Sequence, residues 1–357
     1  MEITYLPPEL IRETLSRLPV RSLLRFRCVS NPFCSTIDGD DFVKHHFSQS
    51  LKNNVNFSLV FTCADIVFYQ YDSLENPVLI ENPLKTGPNA KDSFYPIGFC
   101  NGLICLERTD GYTAFLNIAT RKHRILPCFE DGIHYFQMFG YDPSIHDYKL
   151  IRVFRTKVMV YSLKENAWRK LKKGFPYPFA ISLLGCQMVM RFGLSTEEFD
   201  EVPLPDSLLP NENYLYLAML GEFLCVASYC VQGPATTDIW VMKDYGIKDS
   251  WTKLFSLFLP QDRLMGSIPK VVPVAYSLNR DNILLKIITG YTGSSQSTTL
   301  VWYDLKEKKI DMLGKLNETL PTYFYGGTIV ETLVSLEVVQ EKKKEQQTRV
   351  AQVFIFV

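Results

Sequence analysis

One short pattern recurs along most of the chain beyond Ser50. Its copies are FLNIATRKHRILP from Phe115, VYSLKENAWRKL from Val160, RFGLSTEEFDEVPLP from Arg191, WVMKDYGIKDSWTKL from Trp240 and VWYDLKEKKIDML from Val301. Each reads as an apolar strand, a polar turn and a second strand that ends at Leu. With Leu116, Tyr161, Phe192, Trp240 and Trp302 as equivalent points, the steps are 45, 31, 48 and 62 residues. Periods of about 40–50 residues with four short strands each are the pattern of a β-propeller. Blades bury both faces against their neighbours and leave only short protected edges. A β-sandwich with similar hairpins is the competing architecture.

The surrounding texture agrees with an all-β region. Runs rich in Phe, Tyr, Val, Ile and Leu predict strands at Phe57–Thr62, Ile66–Tyr71, Gly102–Glu107, Tyr112–Ile118, Tyr148–Phe154, Val158–Leu163, Tyr214–Leu220, Phe223–Tyr229, Ile283–Thr289 and Leu300–Leu305. Asn101-Gly102, Asp110-Gly111 and Gly221-Glu222 are two-residue hairpin signals between such runs.

The first fifty residues differ. Leu10, Ile11, Leu15 and Leu18 recur at helical spacing, so they form one stripe. Pro7 and Pro8 suit a first helical turn, where a backbone N–H would be unpaired anyway, and Pro19 ends the helix. Ser22 is placed to cap a second helix carrying Leu23, Leu24, Phe26 and Val29, and Ser30 a third carrying Phe33 and Ile37. Three helices this short cannot bury all these side chains among themselves. Some of that apolar surface must meet the rest of the chain or a partner.

The run LPPELIRETLSRLPVRSLLRFRCVS, from Leu6 to Ser30, followed by NPFCSTID and by DFVKHHF from Asp41 to Phe47, resembles the F-box of plant F-box proteins. GFCNGLICL from Gly98, FGYDPSIHDYKLIRV from Phe139, DIWVMKDYGIKDSWTKLF from Asp238 and the repeat units resemble the F-box-associated domain of plant F-box/kelch-repeat-type proteins. ETLVSL, Glu331–Leu336, is similar to that domain's closing strand. The expected architecture is multidomain, α plus all-β: a small three-helix F-box over 1–50, a β-propeller-like interaction domain over 51–337, and a charged run with an apolar tail over 338–357.

Departures from the family pattern carry their own expectations. Phe33 stands where the family usually has Trp, Thr36 where it has Leu, and Pro32 replaces a flexible polar residue. Trp to Phe keeps an aromatic anchor and gives up about 1 kcal/mol of apolar burial. Between Phe175 and Phe192 a hairpin normal to the family is missing, which accounts for the short step of 31 residues. Its absence leaves a compacted blade, a gap used for binding, or a poorly folding product. The C-terminal VAQVFIFV has no family counterpart and is an apolar strand free to pair with an exposed edge, preceded by the solvated run EKKKEQQTR.

Composition excludes several functions. Lys+Arg and Asp+Glu number 38 each, so no global field draws in nucleic acid or an anionic membrane. No window approaches eighteen consecutive apolar residues, and the N-terminus does not read as a secretory signal. Nine cysteines lack CxxC pairs and zinc spacing, and read as reduced, small core hydrophobes. No GxSxG elbow, P-loop, HExxH or dinucleotide fingerprint occurs. GYTGSSQSTT, from Gly290, lacks the lysine and following helix of a phosphate loop and reads as a hairpin loop. The resemblance implies that, of His45 and His46, one packs the F-box tail and the other faces solvent.

The resemblance implies a non-catalytic chain without cofactor or metal: the substrate-recognition subunit of an SCF-type ubiquitin ligase. Leu6, Pro7, Leu10, Ile11, Leu15, Leu18, Pro19, Leu23, Leu24 and Val29 would face a Skp-type adaptor, and through it the cullin and RING subunits. A few of them must instead hold the helices together. Propeller loops, for which Asp131–Tyr135, Gln232–Thr237 and Gly290–Thr299 are candidates, would take an unidentified protein substrate. An adaptor-binding decoy or scaffold is the alternative, and a propeller enzyme or lectin a more remote one. The expected location is cytoplasmic, nuclear or both.

Overall fold

A computed structural model of the chain describes residues 7–53, 55–62, 66–70, 73–87, 94–128, 136–154, 157–176, 188–208, 213–230, 236–259, 269–277, 279–290, 297–313, 325–336 and 352–356. Two compact units are present. The first comprises Met1–Glu130 with Leu163–Asn166 and Thr328–Glu341, and the second Asp131–Ser162 with Ala167–Gly327 and Lys342–Val357.

Four helices open the first unit, not the three expected from sequence: α1 (Pro8–Ser16), α2 (Val20–Phe26), α3 (Asn31–Asp38) and α4 (Asp40–Asn53). The fourth forms because Asp40 and Asp41 sit in its first turn, where carboxylates suit the helix dipole, and Phe42, His46 and Ser50 recur on one buried stripe. Pro7 caps α1 with Pro8 in its first turn, and the Ser30 hydroxyl accepts the Phe33 N–H at the start of α3. Ser22 does not cap α2. That helix begins at Val20, because the Pro19 carbonyl already accepts the Ser22 and Leu23 N–H groups at 2.9 and 3.1 Å. Each helix gives one side chain to a small core of Leu15, Leu23, Ile37 and Phe42.

The described strands that follow form antiparallel sheets built as successive up-and-down meanders, the blade unit of a propeller. The first holds β1 (Phe57–Thr62), β2 (Ile66–Gln70) and β3 (Ser73–Ile80). The second runs β4 (Phe94–Cys100), β5 (Leu103–Arg108), β6 (Thr113–Asn117) and β7 (Lys122–Ile125). A third runs β8 (Phe136–Asp142), β9 (Asp147–Val153), β10 (Val158–Ser162) and β11 (Ala167–Lys170). Next come β12 (Val189–Gly193) and β13 (Phe199–Val202), then a sheet of β14 (Asn213–Leu220), β15 (Phe223–Cys230), β16 (Thr236–Met242) and β17 (Trp251–Phe258). The last complete meander holds β18 (Lys270–Tyr276), β19 (Asn282–Thr289), β20 (Ser297–Asp304) and β21 (Ile310–Met312). β22 (Tyr325–Val330) returns to the start and completes the first sheet in the order β22-β1-β2-β3.

The recurring sequence pattern is a turn with a physical basis. Asn117 Oδ1 accepts the Ala119 and Thr120 N–H groups at 3.0 and 3.2 Å, and Asp304 Oδ1 does the same for Lys306 and Glu307. Arg121, Asn166, Glu197 and Lys308 end equivalent turns with φ of 56, 51, 57 and 54°. The Asn101-Gly102 hairpin has both residues at positive φ, 43 and 81°, as a tight two-residue turn requires. A Cβ on Gly102 would lie 2.0 Å from Thr332 Cγ2, so the hairpin also needs glycine for close approach.

ETLVSL, expected as the closing strand, follows it instead. β22 ends at Val330, and residues 331–336 carry no regular secondary structure. Side chains hold them: Asn117 Nδ2 donates to the Thr332 and Val334 carbonyls at 3.0 and 2.9 Å, and the Ser58 hydroxyl donates to the buried Glu331 carboxylate.

The shortened region is completed from the far end of the chain. β23 (Gln352–Phe356) runs antiparallel to β12, with Val189 opposite Phe356 and Phe192 opposite Val353, giving a three-stranded sheet β13-β12-β23. In the complete meanders β6, β10, β16 and β20 have their preceding strand on that side. Among the described residues, β23 from the tail occupies that side of β12. Phe175 closes the same core, its ring edge-on to Phe199 at 5.1 Å.

Candidate functional site

The helical module divides its leucines between core and surface. Leu15 and Leu23 are 4% and 0% exposed and hold the helices together. Ile11, Leu18 and Phe33 pack half-buried around them, and so does Leu333 from the segment after β22. Pro7, Pro19, Leu10 and Val29 are exposed, the last two at 54% and 65%. Leu6 lies outside the described residues. Phe26, absent from the sequence-derived set, is 39% exposed and meets Phe33 edge-on at 6.1 Å. Its aromatic side chain beside Arg25 and Arg27 was the available signal.

Polar contacts fix that surface. Arg27 clamps Asp38 bidentately at 2.5 and 2.7 Å, tying the end of α2 to the end of α3. His46, 1% exposed, donates from Nε2 to the Leu18 carbonyl at 2.8 Å, so α4 holds the α1–α2 connection. Burial, and then the neighbouring His45, keep the His46 imidazole neutral below its usual range, against the pull of the Leu18 carbonyl. His45 is partly exposed, 3.9 Å from Glu13. The two histidines therefore play the two roles expected of them.

Leu24 faces the sheets. With Arg21 and Arg25 it lines a cavity of about 230 Å³ whose other walls are Val78 and Ile80 of β3 and Ile118, Ala119 and Arg121 after β6. The α2 helix thus turns Leu23 inward, Leu24 toward the sheets and Phe26 to solvent.

In the second unit a buried ionic knot joins two turns. Lys149, 4% exposed, donates to Asp142 at 2.9 Å, to the Leu194 carbonyl at 2.6 Å and to Glu197 at 3.3 Å, while Ser144 and Ser195 donate to Asp142. Every charge has a partner, which is a structural arrangement. No group of three or more His, Cys, Asp or Glu able to hold a metal occurs among the described residues, and no described helix is long and apolar enough to cross a membrane. Of the candidate target loops, Asp131–Tyr135 lies outside the described residues, as do most of Gln232–Thr237 and of Gly290–Thr299.

A four-helix module followed by propeller-type meanders defines a class, a small helical domain joined to a propeller-type β domain. Comparison with known families gives it a name. Residues 3–45 match the F-box domain and residues 58–313 the F-box associated beta propeller domain, and the chain belongs to that family of F-box proteins. It is 26% identical to F-box protein CPR1 of Arabidopsis thaliana, over 92% of this chain and 88% of that one. A second Arabidopsis F-box protein is 24% identical over 86% of this chain and 85% of its own length. An F-box/kelch-repeat protein of the same plant is 26% identical over 71% and 79%.

Proposed function

We propose that this chain is the substrate-recognition subunit of an SCF-type ubiquitin ligase, working in the cytoplasm or nucleus. The F-box docks a Skp-type adaptor, which brings the cullin and RING subunits, and the propeller domain holds a protein target. The observation that carries this reading is the apolar surface left uncovered on the helices: Leu10 and Val29 more than half exposed, with Phe26, Pro7 and Pro19. Exposed apolar anchors on a compact module are typical energetic centres of an interface, each worth about 2 kcal/mol or more on truncation. No covalent step falls to this chain. It raises the effective concentration of target lysines near the charged ubiquitin-conjugating enzyme.

The test is co-purification with a plant Skp-type adaptor, comparing the intact chain with Leu10→Ala/Val29→Ala. Both substitutions are at exposed positions, so the fold is kept. Capture by the intact chain and loss in the variant supports the reading. A folded intact chain that captures no adaptor refutes it.

A further inference from the structure

Strand β19 carries a lysine in the middle of an apolar run, NILLKIIT, and the structure buries it. Lys286 is 8% exposed. Its neighbours follow from the sheet register. Lys270 of β18, Ile288 of β19 and Thr298 of β20 lie opposite one another on one rung, and Val272, Lys286 and Leu300 on the rung two residues away. Side chains alternate along strands, so Lys270, Lys286 and Thr298 share one face, with the two lysines diagonal neighbours.

Among the described residues, none of these groups has the anionic or hydrogen-bonding partner its chemistry calls for. Lys286 and Lys270 pair with no carboxylate among the described residues. Each ammonium sits over an aromatic ring, Lys286 5.9 Å from the Tyr325 centroid and Lys270 5.0 Å from that of Tyr216. Burial and the adjacent Lys270 charge push Lys286 down to about 8. The Thr298 hydroxyl is buried and makes no hydrogen bond among the described residues. Buried ammonium groups and hydroxyls in native proteins are ordinarily satisfied, and the Lys149 knot in the same unit shows this chain doing so. Lys270 is exposed where Lys286 is not, so the pair reaches from the surface inward.

We propose that Lys270, Lys286 and Thr298 form a binding site for a dianionic oxyanion of the phosphate class, free or as a small ester. Two ammonium donors match a double negative charge, and the hydroxyl supplies a third donor to a tetrahedral group of oxygens. The Tyr325 and Tyr216 rings hold the two cations in place. Nothing in this site depends on adaptor docking.

The experiment is thermal unfolding of the full chain titrated with inorganic phosphate, ionic strength held constant with sodium chloride, with sulfate and acetate as further probes. Phosphate and sulfate should raise Tm along a saturating curve, and acetate should not. Lys286→Met, Lys270→Gln and Thr298→Val should each weaken the apparent phosphate affinity, the lysine changes by about tenfold or more. The Lys270→Gln/Lys286→Met pair should abolish saturation. Without phosphate, Lys286→Met should unfold no earlier than the parent, since an unpaired buried ammonium is being removed. A phosphate shift that persists in the double variant is general salt stabilisation and overturns the site. So does the absence of any shift, or a Lys286→Met protein that is less stable without phosphate, which would make the lysine structural.

Discussion

Asn117 occupies one of the recurring turns and does two jobs with one amide. Its oxygen accepts the Ala119 and Thr120 N–H groups and shapes the turn, while its nitrogen donates to the Thr332 and Val334 carbonyls and anchors the segment after β22. The residue is fully buried. Asn117→Ala leaves two carbonyls without their donor and removes the turn's acceptor. A buried group left unpaired costs about 1–3 kcal/mol, so the sum is about 3–5 kcal/mol, a large share of the 5–15 typical of a domain. Asn117→Asp separates the two jobs. It keeps the acceptor but puts a second oxygen against two carbonyl oxygens in a buried site, so it should cost at least as much as alanine. Urea unfolding followed by tryptophan fluorescence and by far-ultraviolet circular dichroism measures both. An Asn117→Asp protein within about 1 kcal/mol of the parent would refute the anchoring role, because the turn alone would then account for the residue.

Three other outcomes follow from the geometry. Gly102→Ala forces a Cβ to within 2.9 Å of the Val330 carbonyl as well as onto Thr332, at a φ of 81°, and should lower stability by about 2–4 kcal/mol in urea unfolding, where an unchanged midpoint would contradict the close approach. His46 titrates below its usual value near 6.5 in the folded chain and at that value when unfolded, so the unfolded state binds more protons between the two. Stability from this residue is complete above about pH 6.5 and falls as pH drops toward the folded value; a pH series of urea midpoints should show that slope for the parent and lose it in His46→Gln. Truncation after Leu336 removes β23 and bares the edge of β12, so the shortened chain should melt about 2–10 °C lower and aggregate more readily, and identical melting would mean that β23 contributes nothing.

Much of this fold is written locally. Phe57–Thr62 is a strand as its pattern predicts, and Tyr214–Leu220 gains only Asn213, because alternation with turn residues at both ends leaves little freedom. β7 and β11, KHRI and AWRK, are short, polar edge strands that lack alternation of their own and were legible only as the second strand of the recurring unit. ETLVSL has the apolar content of a strand, yet Asn117 and Ser58, distant in sequence, satisfy it instead of a ladder. The tail was legible as a strand in need of an edge, but not as the partner of β12, since register across more than 150 residues leaves no mark in either segment. On the helices, periodicity marks a stripe without saying which part of it a neighbour covers. Leu15 and Leu10 look alike in sequence, and packing with Leu23, Ile37 and Phe42 from the other helices separates the buried one from the exposed one. Lys286 did leave a trace, a charge inside NILLKIIT, whose meaning depends on Lys270 and Thr298 from two other strands.

The most direct test of adaptor docking is hydrogen–deuterium exchange of the full chain, alone and with a Skp-type adaptor. Protection confined to peptides over residues 7–29, strongest around Leu10 and Phe26–Val29, is the predicted result. Protection that instead falls on the β-sheets, or none at an adaptor concentration where a complex is seen by size exclusion, would contradict it.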